Sequence, residues 1–223
     1  MALEFSAEAA PQEAACTSLA GSINEHLEAG QQVLWLLSGG SNVSVAVEVA
    51  HRLRNVTLAN LTVILADERY VQPGHHDSNW QQLLDAGLDL PGAALQPTLL
   101  GQGFDATVSR FYKDLDHALT AADWSVALLG MGTDGHIAGI LPGSPAVTSA
   151  DVAVGYEAAD YTRITITSVG LARLDEVVLV AAGQAKQPQL ERLHSQLDVQ
   201  EQPAQALKRV PTVHIYTNKE LIS

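Results

Sequence analysis

Residues 124–145 read WSVALLGMGTDGHIAGILPGSP, and this stretch decides the fold. Val126 to Leu129 is an unbroken apolar run, the pattern of a parallel strand buried on both faces. The run stops at Gly130, and Gly132, Gly135 and Gly139 follow, with Asp134 and His136 among them. Glycine permits positive φ and close approach of backbone to a ligand. An acid and an imidazole two residues apart, on a glycine loop leaving a buried strand, stand where an α/β protein places its chemistry. Gly130 to Gly135 also matches G-x-G-x-x-G, the dinucleotide fingerprint. That motif needs a helix opening behind its third glycine to hold a pyrophosphate. Gly139, Pro142, Gly143 and Pro145 leave space for at most about two helical turns, so the match reads as a decoy.

The flanking chain alternates strands and helices. Residues 5–29 read as a helix, with Leu19, Ile23 and Leu27 at helical spacing. Val33 to Leu37 is an apolar strand, followed by Ser38-Gly39-Gly40-Ser41 and a helix over Val43 to Leu53. Strand, Ser/Gly turn and helix start form either a plain N-cap turn or an anion cradle built from unpaired first-turn N–H groups. Leu61 to Ala66 is a strand that runs into Asp67-Glu68-Arg69-Tyr70, either a solvated charged turn or a ligand contact. Asn79 to Ala86 reads as a short helix capped by Ser78 or Asn79, and residues 88–103 as a connecting segment. Phe104 to Leu119 is a helix, residues 147–161 are irregular or weakly strand-like, and Arg163 to Thr167 alternates as a strand. A helical turn over Leu171 to Leu174, a strand over Val177 to Ala182, Gly183-Gln184-Ala185-Lys186, a helix over 187–197, a helical Pro203 to Lys208 and a strand over Val213 to Tyr216 complete the chain.

This pattern predicts the α/β class: a mainly parallel sheet with helices on both faces. The 223 residues suit one domain spanning 1–223, with room for a small extra lobe. Ligands in such sheets bind beyond the carboxyl edge of the strands. Ser38 to Ser41, Asp67 to Arg69, Gly130 to His136 and Gly183 to Lys186 all follow strand ends, so they are expected on one rim.

Composition narrows the partners. The 47% hydrophobic and 17% charged content is that of a folded globular chain. A net charge of −13 argues against a nucleic-acid or anionic-membrane surface, while leaving a small anionic substrate open. Cys16 is the single cysteine, so no internal disulfide forms, and it reads as a packed thiol. The N-terminus has no basic n-region and no apolar run approaches the roughly 20 residues of a membrane span, so a cytoplasmic protein is expected. His75 and His76 are adjacent without a spaced third ligand, and no metal is expected.

On the expected rim, Arg69, Lys186 and the donors of Ser38, Gly39, Gly40 and Ser41 suit a phosphate. Asp67 and Asp134 suit polyol hydroxyls. Arg163 opens its strand, which leaves it either at the opposite edge or reaching the ligand. His136 carries the imidazole of this loop and is the natural general base.

The ordered motifs SGGS, DERYV with DSN, LLGMGTDGHIAGILPGSP, RITIT and GQAK resemble the 6-phosphogluconolactonases, which group with the glucosamine-6-phosphate isomerase/deaminases. The resemblance covers about residues 33–217. It implies a Rossmann-like, mainly parallel sheet of the CoA-transferase-like type. It also implies hydrolysis of 6-phospho-D-glucono-1,5-lactone, a carboxylic ester hydrolase step of the pentose phosphate pathway, without a cofactor. His136 matches the family's catalytic histidine, Arg69 and Lys186 its phosphate-site cations, and Gly39, Gly40 and Ser41 its phosphate turn. The deaminase branch carries a glutamate where this chain has Leu141, and Asp-Glu-Tyr where this chain has Asp67-Glu68-Arg69. Asn42-Val43 departs from the usual Thr-Pro, and Gly139-Ile140-Leu141 from Ser-Leu-Phe. The resulting expectation is water attack on the lactone, driven by His136, oriented by Asp134 and aided by loop amides at the oxyanion. The expected partner is a phosphorylated sugar lactone, and the chain is expected as a monomer or weak homodimer. A deaminase and a non-catalytic sugar-phosphate sensor are the alternatives.

Overall fold

The computed structural model describes residues 3–218. Its main sheet has seven strands, all parallel: β1 (Leu3–Ala7), β2 (Val33–Leu37), β3 (Leu61–Leu65), β5 (Ala94–Gln96), β6 (Trp124–Gly130), β9 (Glu176–Val180) and β10 (Thr212–Thr217). Their order is β1-β10-β9-β6-β2-β3-β5. The apolar runs split by period two between the faces. Leu34, Leu36, Ala127, Leu129, Val177 and Leu179 enter one apolar cluster. Val33, Trp35, Leu37, Val126, Leu128 and Val178 enter the other. This is why these strands read as continuous hydrophobic runs: both sides are covered.

Helices α1 (Pro11–Glu28) and α2 (Val43–Leu53) cover the second face. On α2 the buried positions are Val45, Ala46, Val49, Ala50 and Leu53, the i, i+4 stripe its sequence shows. Cys16 lies buried between these helices, its thiol 3.6 Å from the Val45 carbonyl. The first face takes α4 (Phe104–Ala121), through Phe111 and Leu115, and the 3₁₀ segment Pro203–Arg209.

A second sheet packs into that same first-face cluster. It is antiparallel, in the order β4 (Asp67–Arg69), β8 (Thr162–Ile166), β7 (Ala153–Glu157). Ile164 and Ile166 tie it to the main core, so it shares that core and is not an independent lobe.

The structure corrects several sequence expectations. Residues 5–29 are not one helix: Leu3–Ala7 is an edge strand paired with β10, and the helix opens at Pro11, where proline's fixed φ suits the first turn. The connecting segment 88–103 contains β5, a short edge strand without an apolar face. Residues 147–161 hold the end of α5 (Pro145–Thr148) and β7. The turn expected over 171–174 is α6 (Ser168–Leu171), with Thr167 as its side-chain cap. The helix expected over 187–197 is α7, which ends at Arg192. Asp67–Arg69 is a strand, not a turn. Ser78, rather than Asn79, caps α3 (Asn79–Asp85), accepting from the Gln81 N–H at 3.1 Å. Behind Gly135 no helix opens before Pro145, so the structure lacks the dinucleotide arrangement.

Candidate active site

The carboxyl ends of β2, β3, β6 and β9 meet the second sheet at a cleft of about 260 Å³. Ser38, Gly39, Gly40, Ser41, Asp67, Arg69, Arg163, His136 and Lys186 all line it. The four stretches expected on one rim are together, and Arg163 faces this cleft rather than the opposite edge. Asp134 stands one contact behind the wall.

The second sheet explains how residues far apart in sequence meet. Asp67 and Arg69 alternate onto one face of β4, and Arg163 and Thr165 onto one face of β8. The register pairs Asp67 with Thr165 and Arg69 with Arg163. The glycine loop lies directly on this face: the Gly139 N–H donates to Thr165 Oγ1 at 3.1 Å, and the Tyr156 hydroxyl donates to the Gly139 carbonyl at 2.6 Å. A Cβ at Gly139 would stand 2.8 Å from the Thr165 Cβ and 3.2 Å from the Asp67 Cβ, so this approach requires glycine.

His136 is held from two sides. Its Nδ1 lies 2.6 Å from Asp134 Oδ1, and its backbone N–H donates to the same oxygen at 3.2 Å. Gly132 makes space for the ring, because a Cβ there would collide with Nδ1. Burial works to raise the Asp134 carboxyl, but the His136 backbone N–H, the imidazole charge and the Nδ1 bond outweigh it and hold the acid below its ordinary value. An anionic Asp134 favours the tautomer with its proton on Nδ1 and a free lone pair on Nε2, the form that can accept a proton.

Three cations face the cleft. Arg69 donates from Nη1 to the Asp77 carbonyl at 3.0 Å, and among the described residues it forms no carboxylate pair. Lys186 is likewise free of a carboxylate among the described residues, and burial lowers its ammonium below the ordinary value. Arg163 pairs with Asp160 at 2.6 Å and stands 4.0 Å from Asp67. Burial pushes the Asp67 carboxyl up, opposed by Arg163, Arg69, His136 and the Asn79 amide.

Two details revise the expected anion cradle. The Ser38 hydroxyl donates to the Leu128 carbonyl at 2.9 Å and accepts from Asn42 Nδ2 at 3.3 Å, so its proton braces β2 to β6 and is not offered to a ligand. The second half of the Ser/Gly turn is itself a 3₁₀ turn, Gly40–Asn42, that runs into α2.

Several site residues were not legible in advance. Asn79 lines the cleft and donates to the Asp67 carbonyl at 3.0 Å and to Asp67 Oδ2 at 3.3 Å. The DSN motif was its only signal. Glu68 is fully buried and accepts from the Ser78 hydroxyl and from the N–H groups of Asn79, Trp80 and Arg69. That carboxylate welds β4 to the start of α3. Outside the cleft, donor atoms of His75, His76 and Asp77 lie within 4.8 Å of one another on an exposed loop, but His75 Nδ1 already accepts the Asp77 N–H at 3.2 Å.

A family model described as Glucosamine-6-phosphate isomerases/6-phosphogluconolactonase matches residues 6–215. A 6-phosphogluconolactonase of Synechocystis is 31% identical over 195 residues, covering 81% of this chain and 79% of that protein. One from Pseudomonas aeruginosa is 28% identical over 219 residues, covering 89% and 87%. Among solved structures, a 6-phosphogluconolactonase from Shewanella baltica superposes with a TM-score of 0.83 at 20% identity, covering 97% of this chain and 98% of that one. That likeness shows a shared fold.

Proposed function

The chain belongs to the glucosamine-6-phosphate isomerase/6-phosphogluconolactonase family, and on that premise we propose that it hydrolyses 6-phospho-D-glucono-1,5-lactone to 6-phospho-D-gluconate. One observation carries the reading: a single cleft holds His136, backed by Asp134, and two cations that pair with no carboxylate among the described residues, Arg69 and Lys186.

Arg69, Lys186 and the Gly39–Ser41 turn bind the 6-phosphate and so set the lactone carbonyl near His136. Nε2 takes a proton from water as the oxygen attacks C1. The tetrahedral intermediate collapses by breaking the bond from C1 to the ring oxygen, which takes the proton back from the imidazolium. The products are a C1 carboxylic acid, which ionises, and a C5 hydroxyl. The N–H groups of Gly132, Gly135, His136 and Ile140 donate to backbone or to Asp134, and that of Gly139 to Thr165. These amides are already spent, so they offer no free N–H to the oxyanion expected to lean on them. Asp67 and Asn79 accept and donate toward sugar hydroxyls.

The deaminase reading lacks its proton carrier: Leu141 packs against the apolar cluster and cannot move a proton. Lactone loss timed against spontaneous hydrolysis tests the proposal. Rapid enzymatic loss is the expected result. Ammonia release from glucosamine 6-phosphate, or tight product binding without turnover, overturns it.

A further inference from the structure

Arg69 and Arg163 are directly opposed in the β4–β8 register. Like charges directly across an antiparallel pair repel, and each side chain also keeps a buried Nε–H with no acceptor among the described residues. Left alone, two such guanidinium groups would splay, and an anion would have to gather them at its own cost. One aromatic ring serves both. Tyr161, in the turn between β7 and β8, lies with its ring centroid 5.0 Å from the Arg69 Cζ and 6.0 Å from the Arg163 Cζ. The negative face of an aromatic ring attracts a guanidinium at such distances. The same turn supplies Asp160, which grips Arg163 Nη2 at 2.6 Å, and is closed by the Ala158 N–H donating to the Tyr161 carbonyl at 3.0 Å.

We propose that Tyr161 is a positioning residue: its ring holds Arg69 and Arg163 in register so that both guanidinium groups meet one oxyanion group, here the phosphate of the sugar substrate. The inference rests on the lactonase reading for the identity of that substrate, but not for the clamp itself. The Tyr161 hydroxyl makes no hydrogen bond to a described residue, so the ring face is the working part. It is half-buried in a turn, where a change of side chain leaves the core untouched.

The test compares Tyr161→Leu with Tyr161→Phe. Leucine keeps apolar bulk and loses the ring, whereas phenylalanine keeps the ring. Tyr161→Leu is expected to raise the KM for the phosphorylated lactone and the calorimetric Kd for inorganic phosphate about tenfold, with kcat within about twofold. Tyr161→Phe restores both constants to near wild type. A Leu variant that binds phosphate like the wild type overturns the clamp. So does a Phe variant as impaired as Leu, or a loss confined to kcat. Should the wild type fail to turn over the lactone, the lactonase reading falls, while the three phosphate affinities still decide the clamp.

Discussion

The two sheets are built on opposite principles. In the parallel sheet, nearly every side chain of β2 and β6 is buried among apolar neighbours, and Trp35 is fully enclosed. In the antiparallel sheet, β4 is a strand of three charged residues, two of them buried. The first sheet is held by area removed from water, which is non-directional and tolerant. The second shares the apolar core through β7 and β8, but its β4 edge is held by hydrogen bonds to specific atoms, which are costly to leave unmade. The first supplies the rim and the second supplies the floor on which the glycine loop rests. The proposed chemistry sits where the tolerant scaffold meets the exacting one, and substitutions on the two sides should fail in different ways.

The largest separation is expected at the loop itself. Replacing His136 with Ala removes the base and should cut kcat by about 10²–10⁴. Its side chain is one-third exposed, so the melting temperature should hold. On the parallel side, Trp35→Ala leaves a large cavity and should cost about 3–5 kcal/mol in denaturant unfolding, while surviving folded protein keeps a wild-type KM. On the antiparallel side, Glu68→Ala orphans buried donors from Ser78, Asn79, Trp80 and Arg69, and should cost about 3 kcal/mol. There KM must rise together with the loss of stability, because the same bonds place Asn79 and Arg69. If KM stays normal in folded Glu68→Ala protein, the two sheets are not divided in this way. Arg69→Ala should raise KM about 10–100-fold with little change in stability.

The smallest effect concerns acid. Asp134 is held below its ordinary carboxylate range in the folded protein. Its stabilising contribution is therefore present above that ordinary value and is lost as pH falls through the lowered one. Asp134→Asn should flatten the acid limb of a stability–pH curve slightly, and an unchanged limb would show that the pair contributes only orientation.

The same division sets what the sequence disclosed. Helix α2 matches its expected bounds, Val43–Leu53, and β2 matches Val33–Leu37, because burial writes a period into the chain. The strand β4 is hidden by Asp67-Glu68-Arg69, since three consecutive charged residues show no apolar alternation. The strand β1 does alternate, at Leu3, Phe5 and Ala7, but so short a run ahead of a helix reads as part of that helix from Phe5 onward. The residues with motif signals, from Ser38–Ser41 to Lys186, meet at the cleft as the strand-end argument required. Asn79, Asp160 and Tyr161 act through a register and a turn that only the folded chain reveals.

Both sheets should grip one sugar phosphate with its lactone end at His136. A crystal structure with 6-phosphogluconate bound tests this most directly. The expected result has the phosphate on Arg69 and Lys186 and the C1 carboxylate facing His136 Nε2. A phosphate seated at His136, or a product molecule outside this cleft, would contradict it.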